Sequence, residues 1–176
     1  LLFFNPYAGQ VKEDHQLTII LNHLQNSRID VELIMVPRAQ NEIRRLVQDA
    51  IEDGVDLFIA AGGDGTVSFV SDPLINTGKT LCIIPLGTGN LISKTLNIPL
   101  KLEKALDLIT SQDHGIIRMD ALRVMEDRNY ISNVSVGVTP KLMASTCQDD
   151  KRRIGFFAYL IKLFQQILGL QLHRYY

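Results

Sequence analysis

Leu57-Phe58-Ile59-Ala60-Ala61-Gly62-Gly63-Asp64-Gly65-Thr66 is the stretch from which the rest of the chain is read. Five apolar residues without polar alternation suit a strand buried on both faces of a parallel sheet. Gly62 to Gly65 then break the strand, and Thr66–Val70 can start a helix. The arrangement recurs at Leu81-Cys82-Ile83-Ile84, followed by Pro85-Leu86-Gly87-Thr88-Gly89-Asn90 and a helix from about Leu91 to Leu96. A strand, a Gly-rich loop and a helix in repeated order imply parallel strands joined by crossover helices.

The flanking sequence agrees. Upstream, Leu1–Phe4 is a short apolar strand stopped by Asn5-Pro6, with loop chemistry through Pro6-Tyr7-Ala8-Gly9. Leu17, Ile20, Leu21 and Leu24 have helical spacing. Val31–Val36 alternates as a strand and stops at Pro37. Asn41 to Glu52 is helical, with Ile43, Leu46, Val47, Ala50 and Ile51 on one side, and Leu102–Ile109 is a further helix. The expected fold class is α/β: a doubly wound, mostly parallel three-layer sheet domain over residues 1–120. The pattern changes after about residue 115. Ile116–Val124 and Tyr130–Val136 flank the polar turn Glu126-Asp127-Arg128-Asn129, which is hairpin spacing. Phe156 to Leu170 reads as an amphipathic helix. A β-rich second domain is therefore expected over 121–176, incomplete in this chain.

Composition limits the function classes. The 176 residues carry 18 Lys+Arg and 19 Asp+Glu, a net charge of −1, and are 46% hydrophobic. That excludes intrinsic disorder and gives no electrostatic case for a nucleic-acid partner. No stretch reaches the ~18 apolar residues of a spanning helix. Cys82 and Cys147 read as reduced cytosolic thiols, and the four histidines show no zinc spacing.

The chemistry is expected in the loops, because ligands of open α/β sheets sit beyond the carboxyl ends of the strands. Glycines at 62, 63 and 65 allow backbone N–H groups to approach an anion, and a helix N-terminus follows them. Gly63→Val is expected to block that approach. Thr66 can cap the helix or donate to a phosphate. Asp64 would repel phosphate directly, so it suggests a Mg²⁺ or a hydroxyl nucleophile nearby, the alternative being a helix cap. The Walker loop and G-x-G-x-x-G are both absent.

Asn5-Pro6-x-x-Gly9, GGDGT at 62–66 and PLGTGN at 85–90, in this order, resemble the diacylglycerol kinase catalytic domain family, which includes bacterial lipid kinases and sphingosine kinases. Lys94-Thr95-Leu96-Asn97-Ile98-Pro99, Asp120, Asn133, Gly137 and Lys151–Tyr159 continue the similarity. GGDGT alone is shared with NAD kinases. The resemblance implies an ATP- and Mg²⁺-dependent lipid kinase with its active site in a cleft between two domains. It implies that Asn5, Gly9, Gly62, Gly63, Gly65, Thr66, Gly87, Thr88, Gly89 and Asn90 hold the nucleotide. Asp64 would sit at the reacting phosphoryl group, and Asp120 beside the cleft. The metal ligands are left unassigned.

The chain departs from the family pattern at Leu91, where Asp usually follows GTGN, and at Phe69, where Glu is common. Val36-Pro37 and Thr139 also differ. The family's D-G-E motif, with its presumed general base, does not occur in these 176 residues, so this chain alone is expected not to phosphorylate lipid. The expected setting is cytoplasmic, with a lipid alcohol met at a membrane surface by peripheral contact, no nucleic acid, and a homodimer allowed. Lys151-Arg152-Arg153 could touch anionic lipid, or be a solvated turn. The rival readings are a soluble NAD kinase-like enzyme and a catalytically silent nucleotide-binding regulator.

Overall fold

The computed structural model describes residues 1–9, 13–111, 115–124 and 128–131. Four parallel strands, β1 (Leu2–Phe4), β2 (Leu33–Met35), β3 (Leu57–Gly62) and β4 (Thr80–Pro85), form one sheet in the order β2-β1-β3-β4. Phe3 lies opposite Ile34 on one side and Ala60 on the other, and Ala61 opposite Ile84. Among the described residues five helices flank the strands: α1 (Glu13–Asn26), α2 (Gln40–Glu52), α3 (Asp64–Ser71), α4 (Leu91–Thr95) and α5 (Leu102–Thr110). A single 3-10 turn, Asp72–Leu74, extends α3.

The pleat divides the core into two. Phe3, Phe58, Ala60 and Ile83 point to one face, where Ile43 and Val47 of α2 and Val67 and Val70 of α3 cover them. Leu2, Phe4, Ile59, Ala61 and Ile84 point to the other, against Ile20 and Leu24 of α1 and Leu106 of α5. Successive strand residues thus bury on opposite faces, and this is why the strands read as unbroken apolar runs. Cys82 on β4 is a free thiol, and burial pushes its pKa up, keeping it neutral.

Element boundaries shift from the sequence expectation where tertiary partners decide them. The strand expected over Val31–Val36 is only Leu33–Met35, because its single neighbour β1 offers three residues to pair with. The helix expected from Thr66 starts instead at Asp64, so Asp64 and Gly65 belong to the first turn of α3 while Gly62 is still part of β3. The first hairpin strand is shorter and the second begins earlier than expected: β5 (Leu122–Val124) pairs antiparallel with β6 (Arg128–Tyr130). Asn129, expected in the turn, is a strand residue tied down by Asp72, which accepts its backbone N–H at 2.9 Å and its side-chain amide at 3.0 Å. Residues 1–133 form one compact unit, which includes this hairpin. Val134–Val136, Gly137, Cys147, Lys151–Arg153 and the helix expected over 156–170 lie outside the described residues. No helix among the described residues is long and apolar enough to cross a membrane.

Candidate functional site: three interlocked loops at the strand ends

In the order β2-β1-β3-β4 the chain leaves β1 in opposite directions, so the topological switch point lies between β1 and β3. The crevice outside the carboxyl ends of those strands is where open α/β sheets bind ligands. The loops after β1, β3 and β4 meet there, and each carries one of the sequence motifs.

Asn5 spans the switch point. Its Nδ2 donates to Thr66 Oγ1 at 2.7 Å, and its Oδ1 accepts the Tyr7 N–H at 2.9 Å, closing an Asx turn. Both ends of the side chain therefore serve the loop itself. Thr66, 4% exposed, sits in the first turn of α3, with its side chain packed over Gly62. It does not cap α3, whose N-cap is Gly63 with no side-chain bond. Gly9 turns with φ +83°, and a Cβ there would collide with the Leu86 carbonyl oxygen, so the β1 loop rests on the β4 loop.

The second and third loops touch backbone to backbone. A Cβ on Gly87 would lie 2.5 Å from the Gly63 Cα, and one on Gly63 would lie 3.3 Å from the Gly87 Cα. These two glycines exist for loop packing in the first place, so Gly63→Val would disturb Gly87 whether or not phosphate binds. Gly65 differs. A Cβ there would meet nothing within 4 Å, so the fold leaves space at that position which it does not itself use.

Asp64 links the same two loops. It is the first residue of α3, but its Oδ1 accepts the backbone N–H of Ile92 in α4 at 2.9 Å. Asp64 therefore does not cap its own helix, as the alternative had it, and instead serves the start of the neighbouring one. Its Oδ2 lies on the Gly89 side, 3.1 Å from where a Gly89 Cβ would stand. Asn90 adopts φ 49°, ψ 46° and is buried, while Thr88 and Gly89 between it and Gly87 are exposed.

The structure thus brings together Asn5, Gly9, Gly62, Gly63, Asp64, Thr66, Gly87, Gly89 and Asn90, with Gly65 and Thr88 on the same loops. Asp120 lies apart in sequence, exposed in the segment before β5, with no partner among the described residues. Leu91 is 47% exposed at the start of α4. Phe69 packs on the α2–α3 core and lines a separate cleft with Asn41, Arg44, Asp72, Asn129 and Tyr130. Sequence reading missed the Asp72 anchor, since no motif marks a lone aspartate at a helix end.

A family described as "Diacylglycerol kinase catalytic domain" matches residues 1–124. The chain is 33% identical over 175 residues to an uncharacterized protein of Synechocystis sp., covering 94% of this chain and 40% of that one. It is 30% identical to a probable lipid kinase, YegS-like, of Klebsiella pneumoniae, covering 87% and 51%. A crystal structure of a diacylglycerol kinase from Bacillus anthracis str. Sterne superposes with a TM-score of 0.55 at 34% identity, covering 62% of this chain and 38% of that one. The chain spans about half the length, or less, of these relatives.

Proposed function

The chain belongs to the diacylglycerol kinase catalytic domain family, and from that premise we propose that it binds Mg-ATP at the three loops, within a lipid kinase that phosphorylates an alcohol such as diacylglycerol. The observation that carries the reading is the exposed, open position of Gly65 and Thr88 on loops at the switch point, beside glycines whose close contacts the fold already uses. Exposed Thr88 and the N–H groups of the first α3 turn can receive phosphate oxygens there. Positioning of this kind is most of what phosphoryl transfer asks of a protein.

Magnesium fits as a partner of the nucleotide. Among the described residues no group of three His, Cys, Asp or Glu could hold an ion by itself. Mg²⁺ is usually held by one or two carboxylates together with substrate phosphates. Asp64 can offer Oδ2, its Oδ1 being engaged by Ile92. When bound, the ion would neutralise phosphate charge. The acceptor is taken by analogy with the relatives, a probable lipid kinase of Klebsiella pneumoniae and a diacylglycerol kinase of Bacillus anthracis str. Sterne. Such a substrate would put the proposed setting at the cytoplasmic membrane surface, by peripheral contact, and the family resemblance puts Asp120 beside the cleft. Exposed Leu91, in place of the family's usual Asp, favours a second reading: a nucleotide-binding protein without turnover.

The test measures Mg-ATP binding by calorimetry and transfer of labelled phosphate to diacylglycerol in mixed micelles, on the intact protein rather than this chain alone, for wild type and Gly65→Ala. Alanine is the better helix former, so the variant should be at least as heat-stable as wild type. Filling the space should weaken ATP binding about tenfold or more, the scale of one overpacked methyl. Equal affinity would move the nucleotide elsewhere. Binding without transfer to any lipid would establish the silent reading.

A further inference from the structure

The turn between β4 and α4 is closed by one side chain. Asn90 Oδ1 accepts the Gly87 N–H at 2.9 Å, and Asn90 Nδ2 donates to the Gly87 carbonyl oxygen at 2.7 Å. The amide thus pairs with both polar groups of a single backbone residue three positions earlier. This ring uses the left-handed backbone of Asn90, a conformation that asparagine tolerates better than most residues. Asn90 is 8% exposed and its carbonyl accepts the Lys94 N–H, so it is also built into the start of α4. Thr88 and Gly89, at the tip of the closed turn, are exposed.

We infer that Asn90 is a positioning residue: its side chain holds Thr88 and Gly89 in the ligand-receiving shape before any nucleotide arrives, and it makes no contact with the nucleotide itself. This rests on the nucleotide reading above, and reassigns one of the residues that the family resemblance makes a ligand contact. The physical ground is satisfaction. One Oδ1 lone pair and one Nδ2 hydrogen are committed to Gly87 in a residue only 8% exposed, and turning the amide toward a phosphate would leave a part-buried Gly87 N–H or carbonyl without a partner. A turn fixed in advance also spares the ligand the entropy of ordering it.

The full chain is studied as wild type and as Asn90→Gly, which keeps the left-handed backbone and removes both side-chain bonds. Three quantities are read: amide exchange at Gly87, and affinity for Mg-ATP and for adenosine. In ligand-free wild type the Gly87 amide should already be protected, and protection should change little when Mg-ATP binds. In the variant, Mg-ATP should bind about tenfold more weakly, as two lost hydrogen bonds imply. Adenosine affinity should stay within twofold, because it lacks the phosphates that meet this turn. A residue that merely supports the fold would weaken both ligands together. Free exchange at Gly87 in ligand-free wild type, a measurement that needs no variant, would overturn the inference. So would unchanged Mg-ATP affinity in Asn90→Gly, or a parallel loss for adenosine. Failure of wild type to bind Mg-ATP at all would instead sink the nucleotide reading, and this inference with it.

Discussion

At the scale of the residue, Asp64 has two oxygens with two different surroundings. Oδ1 is engaged by the Ile92 N–H, and Oδ2 lies beside Gly89. Two variants separate these roles. Asp64→Asn keeps an oxygen for Ile92 and loses the charge, so the fold and much of the ATP affinity should persist while turnover by the intact protein falls at least ~10²-fold, the scale of losing one charge-stabilising group. Asp64→Ala also releases α4 from α3, and should lower stability by about 1–2 kcal/mol through the orphaned N–H. Thermal melts and initial rates of both variants check this. Near-normal turnover in Asp64→Asn would leave the carboxylate with its linking role alone. The sequence made Asp64 conspicuous, because an acid in a phosphate loop is chemically odd. It could not say which helix the acid would serve, since Ile92 is 28 positions away and the bond exists only once β3 and β4 lie side by side.

At the scale of the element, legibility followed the number of partners. β3 and β4, each a continuous apolar run paired over six residues, were readable almost to the residue. The helices on the two faces announced themselves by apolar spacing, because one stripe of each is buried. The edge strand β2 and the hairpin were not readable to the same degree, since their extent is set by what lies next to them. The hairpin shows the cause most directly. Asp72, in the 3-10 turn after α3, receives the Arg44 guanidinium from α2 together with both Asn129 donors from β6. One carboxylate therefore joins α2, the end of α3 and the hairpin. Its side chain is 14% exposed, so solvent screens it less than a surface pair. Asp72→Ala should remove one partner of Arg44 and leave both Asn129 donors unpaired, at a cost of about 2–4 kcal/mol. The loss should be local before it is global: hydrogen exchange should accelerate over 128–130 while the amides of β3 and β4 stay protected. Uniform acceleration across the sheet would mean that Asp72 supports the core rather than anchors the hairpin.

At the scale of the whole molecule, the loops are more dependent on one another than their separate motifs suggest. Asn5 reaches Thr66 across the switch point, Gly9 rests on Leu86, Gly63 meets Gly87, and Asp64 holds Ile92. A ligand seated on this cluster would touch groups from three strand ends, so its binding energy should be felt by the sheet as a whole. Binding to the folded chain alone stabilises it by about 2.7 kcal/mol when ligand is at a hundred times its Kd. For a unit of this size that corresponds to a rise in Tm of roughly 5–15 °C. Mg-ATP and Mg-ADP should both produce the shift, and adenosine a small one, because the open positions at Gly65 and Thr88 suit phosphate rather than base. Asn5→Ala should reduce the shift: without its amide, Thr66 Oγ1 loses its donor and the β1 loop is no longer fastened to α3. Scanning fluorimetry over a nucleotide series at fixed Mg²⁺ decides the matter. If adenosine stabilises as much as Mg-ATP, the phosphates are not what the loops hold. If Asn5→Ala keeps the full Mg-ATP shift, the three loops bind independently and the interlock serves the fold alone.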